Sequence, residues 1–185
     1  MKLKTSKNAF NLLKNKSMLK YMNSISGKPN LTRDLKIGKM AEKKIHPQLE
    51  ELFGEKLIST GSFNQYCNFD FVNESDDIWI EHKNRTNYSS NLRTYWFDDV
   101  KLIKFKKLKE DNPKIRAFVV WSFKDCRKIW EITDSDKMEN GHLHYYIEDQ
   151  FADRGRGYKV HTDVVNVFNV RTTKLEDYVF TGKTE

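Results

Sequence analysis

Two carboxylates and an ammonium stand close enough in this chain to do chemistry together. Asp70 ends "NFD", and Glu81 and Lys83 frame "EHK", with the polar stretch "NESDD" (73–77) between them. Runs rich in Phe, Val, Ile and Trp flank that stretch, so the segment reads as two strands joined by a turn. A turn centred between Ser75 and Asp76 pairs Phe71 with Ile80, Val72 with Trp79, Asp70 with Glu81, and Asn68 with Lys83. Strand alternation then puts Asp70, Glu81 and Lys83 on one face, and Phe69, Phe71, Ile80 and His82 on the other. Like charges opposed across a strand pair destabilise it. A hard, oxygen-seeking divalent cation removes that repulsion; the alternative is a pair of solvated acids on exposed strands. Lys83 either orients a cation-bound water or simply pairs with Glu81.

The surrounding elements must hold this hairpin. Ile37, Ala41, Ile45, Leu49 and Leu52/Phe53 recur at helical spacing and predict a helix over about 31–53. Gly54 is placed to cap it in the left-handed conformation, and Pro47 predicts a kink or a restart. Strands are expected at 56–60, 66–72 and 78–85, then a helix over 95–110. "KIRAFVVWSF" (114–123) is apolar nearly throughout, as a central strand is. "KIWEIT" (128–133) is its hairpin partner, and 142–148 and 163–170 are further strands. This order makes a mixed α/β domain, of the α+β kind with a mixed sheet.

Asp70, ten intervening residues and "EHK" after a helix resemble the PD-(D/E)XK nuclease superfamily, which has the restriction-endonuclease-like fold. "GKMAE" (38–42) matches the G-x-x-x-E often found on the first helix of that family, with Gly38 letting Glu42 approach the hairpin. The residue before Asp70 is Phe69, where many members have Pro. The resemblance spans about 35–125, and "STGS" (59–62) makes the layout most similar to archaeal-type Holliday junction resolvases. It implies an αβββαβ core and Mg²⁺- or Mn²⁺-dependent hydrolysis of phosphodiester bonds in DNA. Asp70 and Glu81 would bind the metal with the Ile80 or His82 carbonyl, Glu42 would hold a second metal or its waters, and Lys83 would position the attacking water. Nucleic-acid contacts are expected from Lys39, Lys43, Ser62, Lys101, Lys104, Arg154 and Arg156. A non-catalytic nucleic-acid-binding module, or an RNA endonuclease, would use the same residues.

The net charge of +7 is concentrated early: residues 1–44 hold twelve Lys/Arg against Asp34 and Glu42. Residues 1–30 therefore read as a basic arm or helix, contacting phosphates or merely solvated, ahead of one domain over 31–185. That arm is also a candidate homodimer contact. No apolar run is long enough to span a membrane, and the basic N-terminus lacks the apolar segment of a secretory signal. Cys67 and Cys126 form no CxxC pair, which points to a reducing, intracellular setting. His142 and His144 lack further ligands for zinc. His82 is expected to pack in the core, and Tyr88, Tyr95 and Trp96 either pack there or stack on bases.

Overall fold

The computed structural model describes residues 29–62, 69–132, 138–139, 142–143, 145–153 and 159–181. The expected basic arm, Arg154, Arg156, Asn68 and His144 lie outside the described residues. The chain is mixed α/β, with a mixed central sheet and two helices among those residues.

Helix α1 (Pro29–Phe53) packs only along its C-terminal half, where Ile45, Leu49 and Phe53 are buried at a four-residue spacing. Ile37, expected on the same stripe, is 45% exposed. Among the described residues the buried part of the stripe begins at Ile45, well after the apolar periodicity does. The helix also runs through Pro47 without a break; the ring removes one backbone donor, and packing on both sides keeps the helix whole. Gly54 closes it at φ +65°, the left-handed cap expected.

Strands β1 (Leu57–Ser59), β2 (Phe71–Asn73) and β3 (Ile78–Asn84) form an antiparallel meander. The pairing Phe71↔Ile80 and Val72↔Trp79 is the one the turn predicted. Asn73 explains why it holds. Its buried side-chain oxygen accepts the Asp77 and Ile78 amides at 3.0 and 2.9 Å, and its amide donates to Asp77 Oδ1 at 2.7 Å. Asp76 completes the turn at φ +60°, a conformation that Asp tolerates better than most residues.

After β3 comes β4 (Thr94–Asp98), then helix α2 (Asp99–Asp111). The helix expected from 95 thus begins later. In "TYWFD", Tyr95 and Phe97 are buried while Trp96 is 38% exposed, a period of two that suits a strand. Its backbone pairs with a later strand, β10 (Lys159–Phe168), with Phe97 opposite Val165. The chain then returns as β5 (Arg116–Ser122), parallel to β3 from Ile78↔Arg116 to Asn84↔Ser122. β6 (Arg127–Ile132) follows as a hairpin on β5. β7 (Met138–Glu139) and β8 (His142–Leu143) make a small ribbon. β9 (Tyr145–Asp153) and β10 (Lys159–Phe168) pair with each other, and β11 (Thr173–Lys174) adds to β6. The main sheet has the order β1-β2-β3-β5-β6-β11, and a second sheet has the order β4-β10-β9.

Two cores sandwich the main sheet. On one face Phe71, Ile78, Ile80, Phe118, Val120 and Ile129 pack against Ile45, Leu49 and Phe53 of α1. On the other, Trp79, Val119, Trp121 and Trp130 meet Phe97, Leu102, Phe105 and Val165 from β4, α2 and β10. Alternation along β3 therefore directs Trp79, Glu81 and Lys83 toward β4 and α2, and Ile80 and His82 toward α1.

Candidate active site

β3 carries the site because its odd-numbered residues run from core into a polar cluster. Trp79 packs in the core, Glu81 follows with a side chain only 4% exposed, and Lys83 stands beside it. Lys83 Nζ lies 2.8 Å from Glu81 Oε1 and 2.8 Å from Asp98 Oδ2. Burial alone would pull the Lys83 ammonium toward neutrality, but the Glu81 and Asp98 carboxylates outweigh it and hold its pKa above the ordinary lysine value. Lys101, from the first turn of α2, brings its Nζ to 2.8 Å from Glu81 Oε2. Each Glu81 oxygen is thus paired with one ammonium, Oε1 with Lys83 and Oε2 with Lys101.

Asp70 sits just beyond the end of β2. Its amide donates to the Ile80 carbonyl at 2.9 Å, and its Oδ2 accepts the His82 amide at 2.7 Å. Its carboxyl is pushed up to about 7, first by burial and then by the charge of Glu81, with Lys101 opposing. Glu42, half-buried on α1, is raised by burial and by Glu81, while Lys39 and Lys101 pull the other way. The charge of Glu81 therefore disfavours the ionised forms of both Asp70 and Glu42. Gly38 does not make room for Glu42: a Cβ there would lie 3.9 Å from Glu42 Oε1, an ordinary contact.

Phe69 is on the opposite face from the one expected. It packs edge-on against Trp79, ring centroids 5.7 Å apart, in the core beneath the site. The ladder stops at Phe71, and the bend at 69–70 frees Phe69 from strand alternation. Thr60 fixes that bend. Its hydroxyl donates to the carbonyls of Phe69 and Asp70, and its amide donates to the Asp70 carbonyl at 2.9 Å. "STGS" flagged this stretch, yet only the fold shows that Thr60 props the bend.

Of the expected nucleic-acid contacts, Lys101 reaches the carboxylates, and Lys104 lies half-buried farther along α2. Lys39 and Lys43 line a cleft of about 280 Å³ with Glu42 and His46 of α1 and Ser59 and Gly61. Ser62 ends the short helical turn beside it. His46 Nε2 lies 2.9 Å from the Leu57 carbonyl, which can only accept, so that nitrogen carries the proton and ties α1 to β1. His82 is a packed histidine, as expected: its Nε2 meets Ser122 Oγ at 2.9 Å, and burial lowers its pKa to about 4. Tyr95 is core, whereas exposed Trp96 carries the Arg85 guanidinium 4.2 Å above its ring, and Arg85 Nη2 donates to the Trp96 carbonyl. Sequence reasoning missed Asp98, hidden in a stretch read as helix, and Arg85, whose place on the Glu81–Lys83 face is legible from alternation.

No protein-family model matches the chain, and no curated protein or solved structure matches it. The site must be read on its own geometry. Among the described residues no three His, Cys, Asp or Glu side chains are gathered as a metal-ligand group. Asp70 and Glu81 nonetheless have the right chemistry: hard oxygen donors, buried, with the charge of Glu81 raising the pKa of Asp70. The Ile80 carbonyl, one of the two expected backbone ligands, accepts the Asp70 amide and keeps a second lone pair.

Proposed function

We propose that this protein is a divalent-metal-dependent endonuclease that hydrolyses phosphodiester bonds in DNA, built on a restriction-endonuclease-like core. One observation carries the reading: Glu81 is almost fully buried beside Lys83, within electrostatic reach of Asp70 and Glu42. A chain needing only stability gains little from crowding buried carboxylates, whose desolvation is costly. The mixed α/β arrangement of α1, the β1–β3 meander, α2 and parallel β5 supports the reading, with β4 of the second sheet inserted before α2 where the resemblance implies none.

Asp70 and Glu81 would hold a Mg²⁺ or Mn²⁺ ion, and Glu42 would hold a second metal or its waters. The ion supplies Lewis-acid polarisation of the phosphate and a water of lowered pKa. Lys83 is held charged, so it cannot take a proton at neutral pH. It acts as a donor, orienting water or stabilising charge on the phosphate. Asp98 braces that ammonium from the side opposite Glu81. Arg85, stacked on Trp96 beyond Lys83, offers a guanidinium for the phosphate backbone and an aromatic face for a base.

The test is a cleavage screen with Mn²⁺ on linear, nicked, flapped, four-way and single-stranded DNA, with matched RNA alongside. Asp70→Ala serves as the control. Cleavage of at least one DNA substrate, abolished by Asp70→Ala, is the expected result. Cleavage of RNA alone would transfer the site to an RNA endonuclease. No cleavage of any substrate, or equal cleavage by the variant, would end the catalytic reading. A second reading, a non-catalytic nucleic-acid-binding module, is favoured by the lysine beside each Glu81 oxygen. Salt-sensitive DNA binding without divalent-ion binding would decide for it.

A further inference from the structure

The two lysines on Glu81 are held differently. Lys83 lies between two carboxylates, Glu81 and Asp98, at 2.8 Å from each, and donates an aligned hydrogen bond to Asp98. Lys101 has one carboxylate contact among the described residues, to Glu81 Oε2 at 2.8 Å. Yet Lys101 is the more central cation. It touches Glu81 at 2.8 Å, Asp70 and Glu42 lie within electrostatic reach of it, and its ammonium lies 5.9 Å from the Phe69 ring beneath the site. One ammonium thus serves three carboxylates, which is the place a divalent cation would take.

We propose that Lys101 is a resident stand-in for the catalytic cation: it neutralises the carboxylates in the metal-free protein, and cation binding displaces it. This rests on the metal-dependent reading above. The physical reason is that clustered buried carboxylates need a counter-charge for the protein to fold before any ion arrives. Lysine suits the task because its charge sits on a flexible four-carbon stem and can leave without moving the helix. With one carboxylate contact against two for Lys83, Lys101 gives up less on leaving. The displaced ammonium remains on the first turn of α2, where it can meet a substrate phosphate. Lys101 therefore competes with the metal and later serves the substrate, whereas Lys83 stays in place throughout.

Calorimetric titration of the full chain with Mn²⁺ tests this without reference to activity. Lys101→Met removes the competing charge and is expected to bind Mn²⁺ roughly five- to tenfold more tightly than the wild type. Its melting temperature should be lower without metal and should rise more on adding Mn²⁺. Lys101→Arg keeps the charge and should stay near wild-type affinity. If Lys101→Met fails to fold without metal, Lys101→Gln, which keeps a polar side chain, takes its place. Wild-type binding with no gain in the uncharged variant would overturn the stand-in role alone. So would an equal gain in Lys101→Arg. If none of the proteins binds Mn²⁺, the metal reading fails and the stand-in role falls with it.

Discussion

Two glutamates on the main sheet meet cations, and they are built for different ends. Glu131 on β6 takes Arg116 in a two-pronged pair, Nε to Oε1 at 2.6 Å and Nη2 to Oε2 at 2.8 Å. The Tyr178 hydroxyl adds a third donor at 3.1 Å, and Arg116 also reaches the Thr181 carbonyl. Both oxygens have aligned donors, and the pair is partly solvated, with the Glu131 side chain 27% exposed against 4% for Glu81. Glu81 meets two lysines, one at each oxygen, and Asp70 and Glu42 lie within electrostatic reach. The Glu131 centre ties the C-terminal segment to the sheet. The Glu81 centre is more deeply buried and gathers several charges of both signs.

The comparison breaks first on cleavage. Glu81→Gln should lower the cleavage rate roughly a thousandfold, whereas Glu131→Gln should stay within about twofold. Equal losses in the two variants would mean that both act only through stability. Lys83→Met should cost about a hundredfold in kcat. Asp98→Asn should cost about tenfold with KM unchanged, because it alters only how Lys83 is held. A change in KM alone would make Asp98 a substrate contact instead.

A smaller effect has opposite signs in the two centres. Asp70 is raised from 3.8 to about 7, so the native state binds its proton more tightly than the unfolded chain does. Metal-free stability therefore falls as pH rises through that window. Asp70→Asn removes the penalty and should stabilise the metal-free protein at pH 8 by about 2–4 kcal/mol. Glu131→Gln should destabilise it by about 1 kcal/mol. His82 works against Asp70. Lowered from 6.5 to about 4, it binds its proton more weakly when folded, so its contribution is lost as pH falls from 6.5 toward 4. The two slopes oppose each other between pH 4 and 6.5 in the wild type. Asp70→Asn should expose the His82 slope, with stability dropping on acidification. Denaturant melts at several pH values measure both.

The smallest effect concerns Gly38. Because an added Cβ would make only an ordinary contact with Glu42, Gly38→Ala should stabilise α1 by up to about 1 kcal/mol and leave cleavage unchanged. A loss of cleavage would restore the idea that Gly38 makes room for Glu42.

Much of the hairpin was legible. The pairing of Phe71 with Ile80 and the burial of Glu81 and His82 on opposite faces follow from a polar turn and a period of two. Phe69 was misplaced because the bend at 69–70 depends on Thr60, nine residues earlier, and alternation fails where a ladder ends. Residues 95–98 were misread because helix and strand patterns compete in a short apolar run. The decision fell to β10, some seventy residues later in the chain.

What the chain alone determined was local. Asn73 and Asp76 set the turn, the turn set the register, and the register put Glu81 and Lys83 on one face of β3. Those choices depend on hydrogen bonds and side-chain alternation within a dozen residues. Only the tertiary structure decided which groups that face would meet. Lys101 and Asp98 reach Glu81 and Lys83 because β5 returns parallel to β3 and α2 packs over the resulting sheet. Such contacts depend on how the layers bury their apolar faces, and no spacing along the sequence encodes that directly.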